Sequence, residues 1–300
     1  MPTFKTLKEL SKGGIVALVL ISVLGGYLIG HSPETPINLG RLLATLFGIL
    51  FLASGSSALN QLQERHVDAT MPRTANRPLP SGRLSPSQVI FFVTVTILLG
   101  LMILFILSKT LFVMGLMAVV FYNGLYTLWW KKHWAYAAVP GAIPGALPIW
   151  MGFVAASNRL IHPAGIYLFL ILFYWQMPHF WILALRFKND YALGQFPTLP
   201  VALGEKITVF QILLWCLGYV GLALVAPFFL KVGAVYLGVT FPVCALLLYF
   251  LKKYVAHAQN PQSKNWLPFF LTVNFSLIFF VGAAALDLWS VNLFTQYWIQ

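Results

Sequence analysis

The chain has 300 residues, 59% of them hydrophobic and only 9% charged, with a mean hydropathy of +0.81. Soluble chains carry roughly 25% charged residues, so a water-soluble globule of this length has too little core for this much apolar surface. Nineteen Lys and Arg stand against seven Asp and Glu, a formal net charge of +12; in so apolar a chain the excess reads as membrane topology and not as a nucleic-acid surface, because cytoplasmic loops retain Lys and Arg.

A membrane-crossing helix needs about 20 mostly apolar residues. That window predicts nine spans, near 13–30, 42–60, 88–108, 110–130, 134–157, 163–185, 207–230, 232–251 and 266–287. The expected fold class is all-α: a polytopic membrane protein, one domain over residues 1–300, with about nine transmembrane helices. Continuous apolar runs, without alternation, argue against a β-barrel. The first run follows Lys5, Lys8 and Lys12. It is longer than a signal-peptide core and closes on no small-x-small site, which predicts a retained helix.

Charge orients the spans. With the N-terminus in the cytoplasm, fifteen of the nineteen Lys and Arg, Lys264 among them, fall inside. Only Arg41, Lys109, Arg159 and Lys231 fall outside. The opposite orientation inverts the ratio. Cys216 and Cys244 lie within apolar runs and read as small buried residues.

Two connections on the cytoplasmic side are long, roughly 61–87 and 186–206. The first opens with Asn60, Glu64 and Asp68, spaced four apart, so a continuing helix would set all three on one face. Two carboxylates one turn apart repel, and a divalent cation would relieve that conflict. Mg²⁺ takes oxygen ligands, usually one or two carboxylates with water and substrate phosphate. A solvated helix end fits the same spacing about equally well. Arg73 and Arg77 follow, and arginine forks suit phosphate oxygens, although membrane anchoring also calls for arginines there.

Further along comes Tyr126-Thr127-Leu-Trp129-Trp130-Lys131-Lys132-His133, whose tryptophans read first as an interfacial belt. The sixth span carries Trp175-Gln176-Met-Pro178-His179, polar groups at membrane depth that usually face a cavity or a partner. The second long loop supplies Arg186, Lys188 and Asp190. Of the seven acids, Glu64, Asp68 and Asp190 gather on this side, while Glu9, Glu34, Glu205 and Asp287 call for no function. A transporter would place its polar path near the midplane; here the acids cluster at one face.

The pattern Asn60-x3-Glu64-x3-Asp68-x2-Met71-x-Arg73-Thr74-x2-Arg77-Pro78-Leu79 resembles the first motif of the UbiA-type intramembrane prenyltransferases. Its arginine-threonine-arginine-proline extension is similar to the branch that farnesylates protohaem IX. The match continues through Tyr126-Thr127-x3-Lys131-Lys132-His133, Gly141-x3-Gly145-Ala146-x-Pro148-x3-Gly152, Trp175-Gln176-x-Pro178-His179 and Asp190-Tyr191-x5-Pro197-x-Leu199-Pro200. The resemblance implies helices around a central cavity in a bacterial cytoplasmic membrane, with the site under the cytoplasmic loops. It implies transfer of farnesyl from farnesyl diphosphate to haem B, giving haem O, with membrane lipid around the chain and haem A synthase or a terminal oxidase downstream. Carried over by position, Asn60, Glu64, Asp68 and Asp190 would hold Mg²⁺ and diphosphate. Arg73, Arg77 and Lys131 would neutralise diphosphate oxygens, with Arg186 and Lys188 as weaker candidates. His179, Gln176 and Tyr126 are the candidate haem contacts. Two positions depart from the broader pattern: Glu64 stands where many members have Asp, and Gly194 stands where a second acid follows Asp190.

Overall fold

The computed structural model describes residues 3–257 and 266–298, apart from the side chains of 257 and 291–298; Lys264 lies outside these residues. Among the described residues nine helices are long and apolar enough to cross a membrane, and no strand occurs. They are Gly13–Gly30, Leu39–Thr70, Pro86–Leu107, Lys109–His133, Ala138–Ser157, Pro163–Arg186, Glu205–Leu224, Ala234–Ala256 and Trp266–Ser290, and are called spans one to nine. A short helix, Phe4–Leu10, precedes them.

Local signals set the helix ends. Ser85 and Gln88 form a reciprocal capping box, with Pro86 at the first helical position of span three, where a missing N–H costs nothing. Asn38 Oδ1 accepts from Arg41 N at the start of span two. Asp287 needs no function by its position in sequence, yet the fold employs it. Its Oδ2 accepts from Gly233 N (2.5 Å) and Tyr236 N (3.0 Å), so span nine caps the start of span eight.

Several boundaries differ from the hydropathy reading, two of them with a clear physical cause. Span two does not stop near residue 60 but runs on to Thr70, because its polar end packs against neighbours instead of entering solvent. Span seven stops at Leu224, short of the predicted 230, where a 3₁₀ turn Ala226–Phe228 takes over. Pro227 lies within that turn and cannot donate to a continuing helix.

Helices in lipid approach closely where residues are small. A side chain at Gly26 would strike the carbonyl of Ile149, and one at Gly152 the carbonyl of Val23, so spans one and five touch backbone to backbone. Spans two and three meet similarly at Gly100, where a Cβ would lie 2.8 Å from Gly48 O. One core cluster joins spans five to nine around Trp181, Tyr219, Tyr236 and Phe269, with Cys216 and Cys244 buried in it as free thiols. A second joins spans one to five around Val23, Tyr27, Leu104 and Met151. A third seats the N-terminal helix, with Leu10 buried among Ala58, Leu79, Leu84 and Val89.

Candidate active site

The site grows from the polar end of span two. Ser56, Asn60, Glu64 and Asp68 form one buried row there. Span four runs parallel beside it and changes winding: Val120–Trp130 is π-helical. A regular α-helix carries a four-residue repeat about 40° around its axis at each step. The wider i→i+5 winding re-spaces the residues so that every fourth one meets span two. Asn123 Nδ2 donates to Ser56 O (2.9 Å), Asn60 Nδ2 to Thr127 Oγ1 (3.1 Å), and Lys131 Nζ to both Glu64 oxygens (2.7 and 2.9 Å). Each rung joins residues 67 apart in sequence. Thr127 Oγ1 in turn donates to Tyr122 O, five residues back, at 2.8 Å.

After Thr70 the chain folds back on itself. Thr74, buried, donates its hydroxyl to Asp68 O (2.8 Å), and the N–H groups of Thr74 and Ala75 both reach Met71 O. That turn returns Arg77 to Asp68, at 2.6 Å between Nη1 and Oδ2. The second long loop closes over the first. Arg73 lies between the rings of Phe187 (4.9 Å) and Tyr191 (5.8 Å), with Asp190 Oδ2 3.9 Å from its Nε. Lys131 Nζ lies 4.3 Å from the Phe196 ring centroid. At Gly194 a Cβ would come within 2.9 Å of Met71 Sδ and 3.2 Å of Val67 Cγ1. The position that lacks a second acid is therefore a packing contact between the two loops, where an added side chain would have to displace Met71.

The structure thus pairs Lys131 with Glu64, Arg77 with Asp68 and, more loosely, Arg73 with Asp190, with Asn60 in the same row as Glu64 and Asp68. Arg186 and Lys188 make their contacts elsewhere: Arg186 lies 5.3 Å from the Trp266 ring, and Lys188 pairs with exposed Glu205 at 2.9 Å. Gln176 is buried as a tie between spans five and six, its Nε2 donating to Ala142 O (3.0 Å) and Leu172 O (3.3 Å) and its amide packed over Gly145. His179 lies between the rings of Trp175 (4.9 Å) and Phe270 (5.1 Å), its Nδ1 buried and without a hydrogen-bond partner. Tyr126 stacks on Tyr122 (6.1 Å, 15°) and fills the space beside Gly141.

One residue of the set escapes the sequence reading. Lys12 counts there only as a topological charge, yet its Nζ donates to Asn60 Oδ1 at 2.7 Å and lies 3.5 Å from Tyr122 Oη. Burial first, and the nearby Arg77 second, lower its ammonium from the usual lysine range to about 7. No periodicity signals this placement, because Lys12 sits at the turn before span one.

Residues 19–278 match the UbiA prenyltransferase family. The chain belongs to that family. It is 44% identical over 282 residues to a protoheme IX farnesyltransferase of Bdellovibrio bacteriovorus, covering 94% of this chain and 96% of the relative. To the protoheme IX farnesyltransferase of Flavobacterium psychrophilum it is 36% identical, covering 83% and 81%. The fold is similar to a solved digeranylgeranylglyceryl phosphate synthase (TM-score 0.77, 19% identity, 97% and 100% covered). It is also similar to a UbiA homologue of Archaeoglobus fulgidus bound to GPP and Mg²⁺ (TM-score 0.61, 15% identity, 93% and 99% covered).

In this UbiA family member, the residues fit a hard cation by chemistry. Asn60, Glu64, Asp68 and Asp190 offer only oxygen, and Asp68 Oδ1 is buried with no hydrogen-bond partner, an orphan that a cation would satisfy. Among the described residues no three His, Cys, Asp or Glu side chains already form a metal cluster. Their carboxylates are held by Lys131, Arg77 and Arg73 instead.

Proposed function

We propose that this multi-pass prenyltransferase transfers farnesyl from farnesyl diphosphate to a vinyl group of haem B, with addition of water, giving haem O and diphosphate. The observation that carries the reading is three carboxylate–cation pairs at the loop ends of an otherwise apolar chain. The farnesyl C1–O bond breaks and diphosphate leaves. C1 bonds to the terminal vinyl carbon, water adds to the inner vinyl carbon, and its proton is lost to solvent.

Asn60, Glu64, Asp68 and Asp190 would hold Mg²⁺, which when bound supplies positive charge to the departing diphosphate. Arg73, Arg77 and Lys131 present donors to the diphosphate oxygens, preorganised by the π segment and the Thr74 turn. Phe187 and Tyr191 flank Arg73, and Phe196 covers Lys131. The stacked rings of Tyr122 and Tyr126 beside Lys12 and Glu64 offer an aromatic wall to the allylic cation. His179, with its free Nδ1, is the residue assigned to haem; Gln176 is spent on holding two helices.

In this reading residues 1–300 form one transmembrane domain in a bacterial cytoplasmic membrane. The N-terminus and both long loops are cytoplasmic, and product passes to haem A synthase or a terminal oxidase. The test is direct. Membranes from cells with and without the gene are given haem B and farnesyl diphosphate, and haem is extracted for mass analysis. The expected result is a haem O mass only with the gene. A prenylated quinone precursor in its place would reassign the acceptor.

A further inference from the structure

Lys12 is built into its position by more than one contact. Its backbone is left-handed, with φ at 53°, a region that residues other than glycine seldom adopt. The stretch leading to it is strapped down. Gln61 Nε2 donates to Glu9 O (2.9 Å) and Leu10 O (2.8 Å), and Glu9 Oε2 pairs with Arg83 at 2.7 Å. Leu10 is fully buried beneath. The strap is thus held by Gln61, the residue that follows Asn60 in the motif, and the turn at Lys12 aims the ammonium at Asn60 and Tyr122.

Lys12 also differs from the other inward cations. Arg73, Arg77 and Lys131 each face a carboxylate. The hydrogen-bond partners of Lys12 are an amide oxygen and a phenol, neither of which balances its charge. A site of three carboxylates and three cations would carry a net negative charge once one Mg²⁺ and a prenyl diphosphate trianion were added. A fourth cation brings that assembly to neutrality, and a neutral assembly is the one that a low-dielectric surrounding tolerates.

We propose that Lys12 is a diphosphate-binding residue of the prenyl transfer, delivered to the site by the N-terminal strap. The proposal rests on the reading of the site as a prenyl diphosphate site. Its ammonium can turn from Asn60 to a diphosphate oxygen without stranding a carboxylate, which none of the other three cations can do. The same turn frees Asn60 Oδ1 toward the metal side of the site.

The test uses the full-length protein in detergent and measures binding of inorganic diphosphate with Mg²⁺, together with KM for farnesyl diphosphate. Lys12→Gln is expected to weaken both at least tenfold, and Lys12→Arg to restore most of the loss. Lys5→Gln and Lys8→Gln, on the exposed face of the N-terminal helix, should change neither more than twofold. A Lys12→Gln protein that binds diphosphate within twofold of wild type, with only its melting temperature lowered, would overturn the proposal and make Lys12 an anchor of the strap. Wild type that binds no Mg²⁺-diphosphate at all would instead remove the reading of the site, and the proposal with it.

Discussion

Lys131 Nζ lies 2.7 and 2.9 Å from the two carboxylate oxygens of Glu64, so the residue assigned to diphosphate neutralises a residue assigned to metal. Arg77 and Asp68 repeat the relationship at 2.6 Å. A metal ion arriving alone would strand buried cations, and diphosphate arriving alone would strand buried carboxylates. Each ligand therefore favours the other, and by linkage the effect is reciprocal. Glu64→Gln releases Lys131 from its partner. We expect this variant to bind inorganic diphosphate in EDTA about tenfold more tightly than wild type, about 1.4 kcal/mol, while losing most Mg²⁺-dependent turnover. Titration calorimetry reads the first quantity; weaker metal-free binding than wild type would contradict the exchange of partners.

Asp68 is 1% exposed and Arg77 is 24% exposed, so their pair is largely withdrawn from water. Removing one member of such a pair costs more than the pair itself contributes, because the survivor is left buried and unpaired. Arg77→Ala should lower unfolding stability by about 2–4 kcal/mol, seen as a lower melting temperature in detergent. Adding Asp68→Asn to Arg77→Ala should recover part of that loss in stability and abolish haem O formation. A double variant less stable than Arg77→Ala would show that Asp68 is satisfied some other way.

Much of this was legible in the chain, and the reasons for the rest are physical. Apolar runs of about 20 residues have one solution in lipid, so the span count followed from hydropathy. The four-residue spacing of Asn60, Glu64 and Asp68 placed them on one face because span two really continues as a helix to Thr70. Hydropathy could not report that Pro227 would interrupt span seven, nor that span four would adopt π winding, since neither alters the apolar average. The ion pairs were hidden because they join residues far apart: Lys131 to Glu64, and Arg73 across to Asp190. The second role of Lys12 escapes for a related reason. A lysine before the first span looks the same whether it faces lipid headgroups or turns through a left-handed residue into the protein.

Spans one and five depend on two glycines. A Cβ at Gly26 or Gly152 would run into the opposite backbone, at Ile149 and Val23, and a carbonyl cannot swing aside as a flexible side chain can. Gly26→Ala and Gly152→Ala should each cost about 1–3 kcal/mol, the usual range for overpacking. Gly238→Ala, in span eight with nothing within 4 Å of its Cβ, serves as the control and should cost nothing. Melting in detergent separates them; equal behaviour of all three variants would mean the helices can part without penalty.

The π segment offers the sharpest test of how the site is assembled. Residues Val120–Trp130 bring Asn123, Thr127 and Lys131 against Ser56, Asn60 and Glu64 in three successive rungs. Deleting one residue from this stretch, at exposed Leu125, removes one step of the winding while the π segment is otherwise kept. Each residue of an α-helix turns about 100°, so one deletion rotates everything on one side of it by about that angle relative to the other. Asn123 can keep its rung with Ser56, but Thr127 and Lys131 then cannot both keep theirs. The apolar length of span four hardly changes, so membrane insertion should survive. We expect a folded protein with haem O formation lowered at least 100-fold and metal-free diphosphate binding altered, because Lys131 no longer answers to Glu64. Deleting a residue from the same helix before the π segment, at exposed Val113, leaves all three rungs in register with one another and should cost far less activity. If the two deletions are equally damaging, the spacing of the rungs is not what the π winding secures.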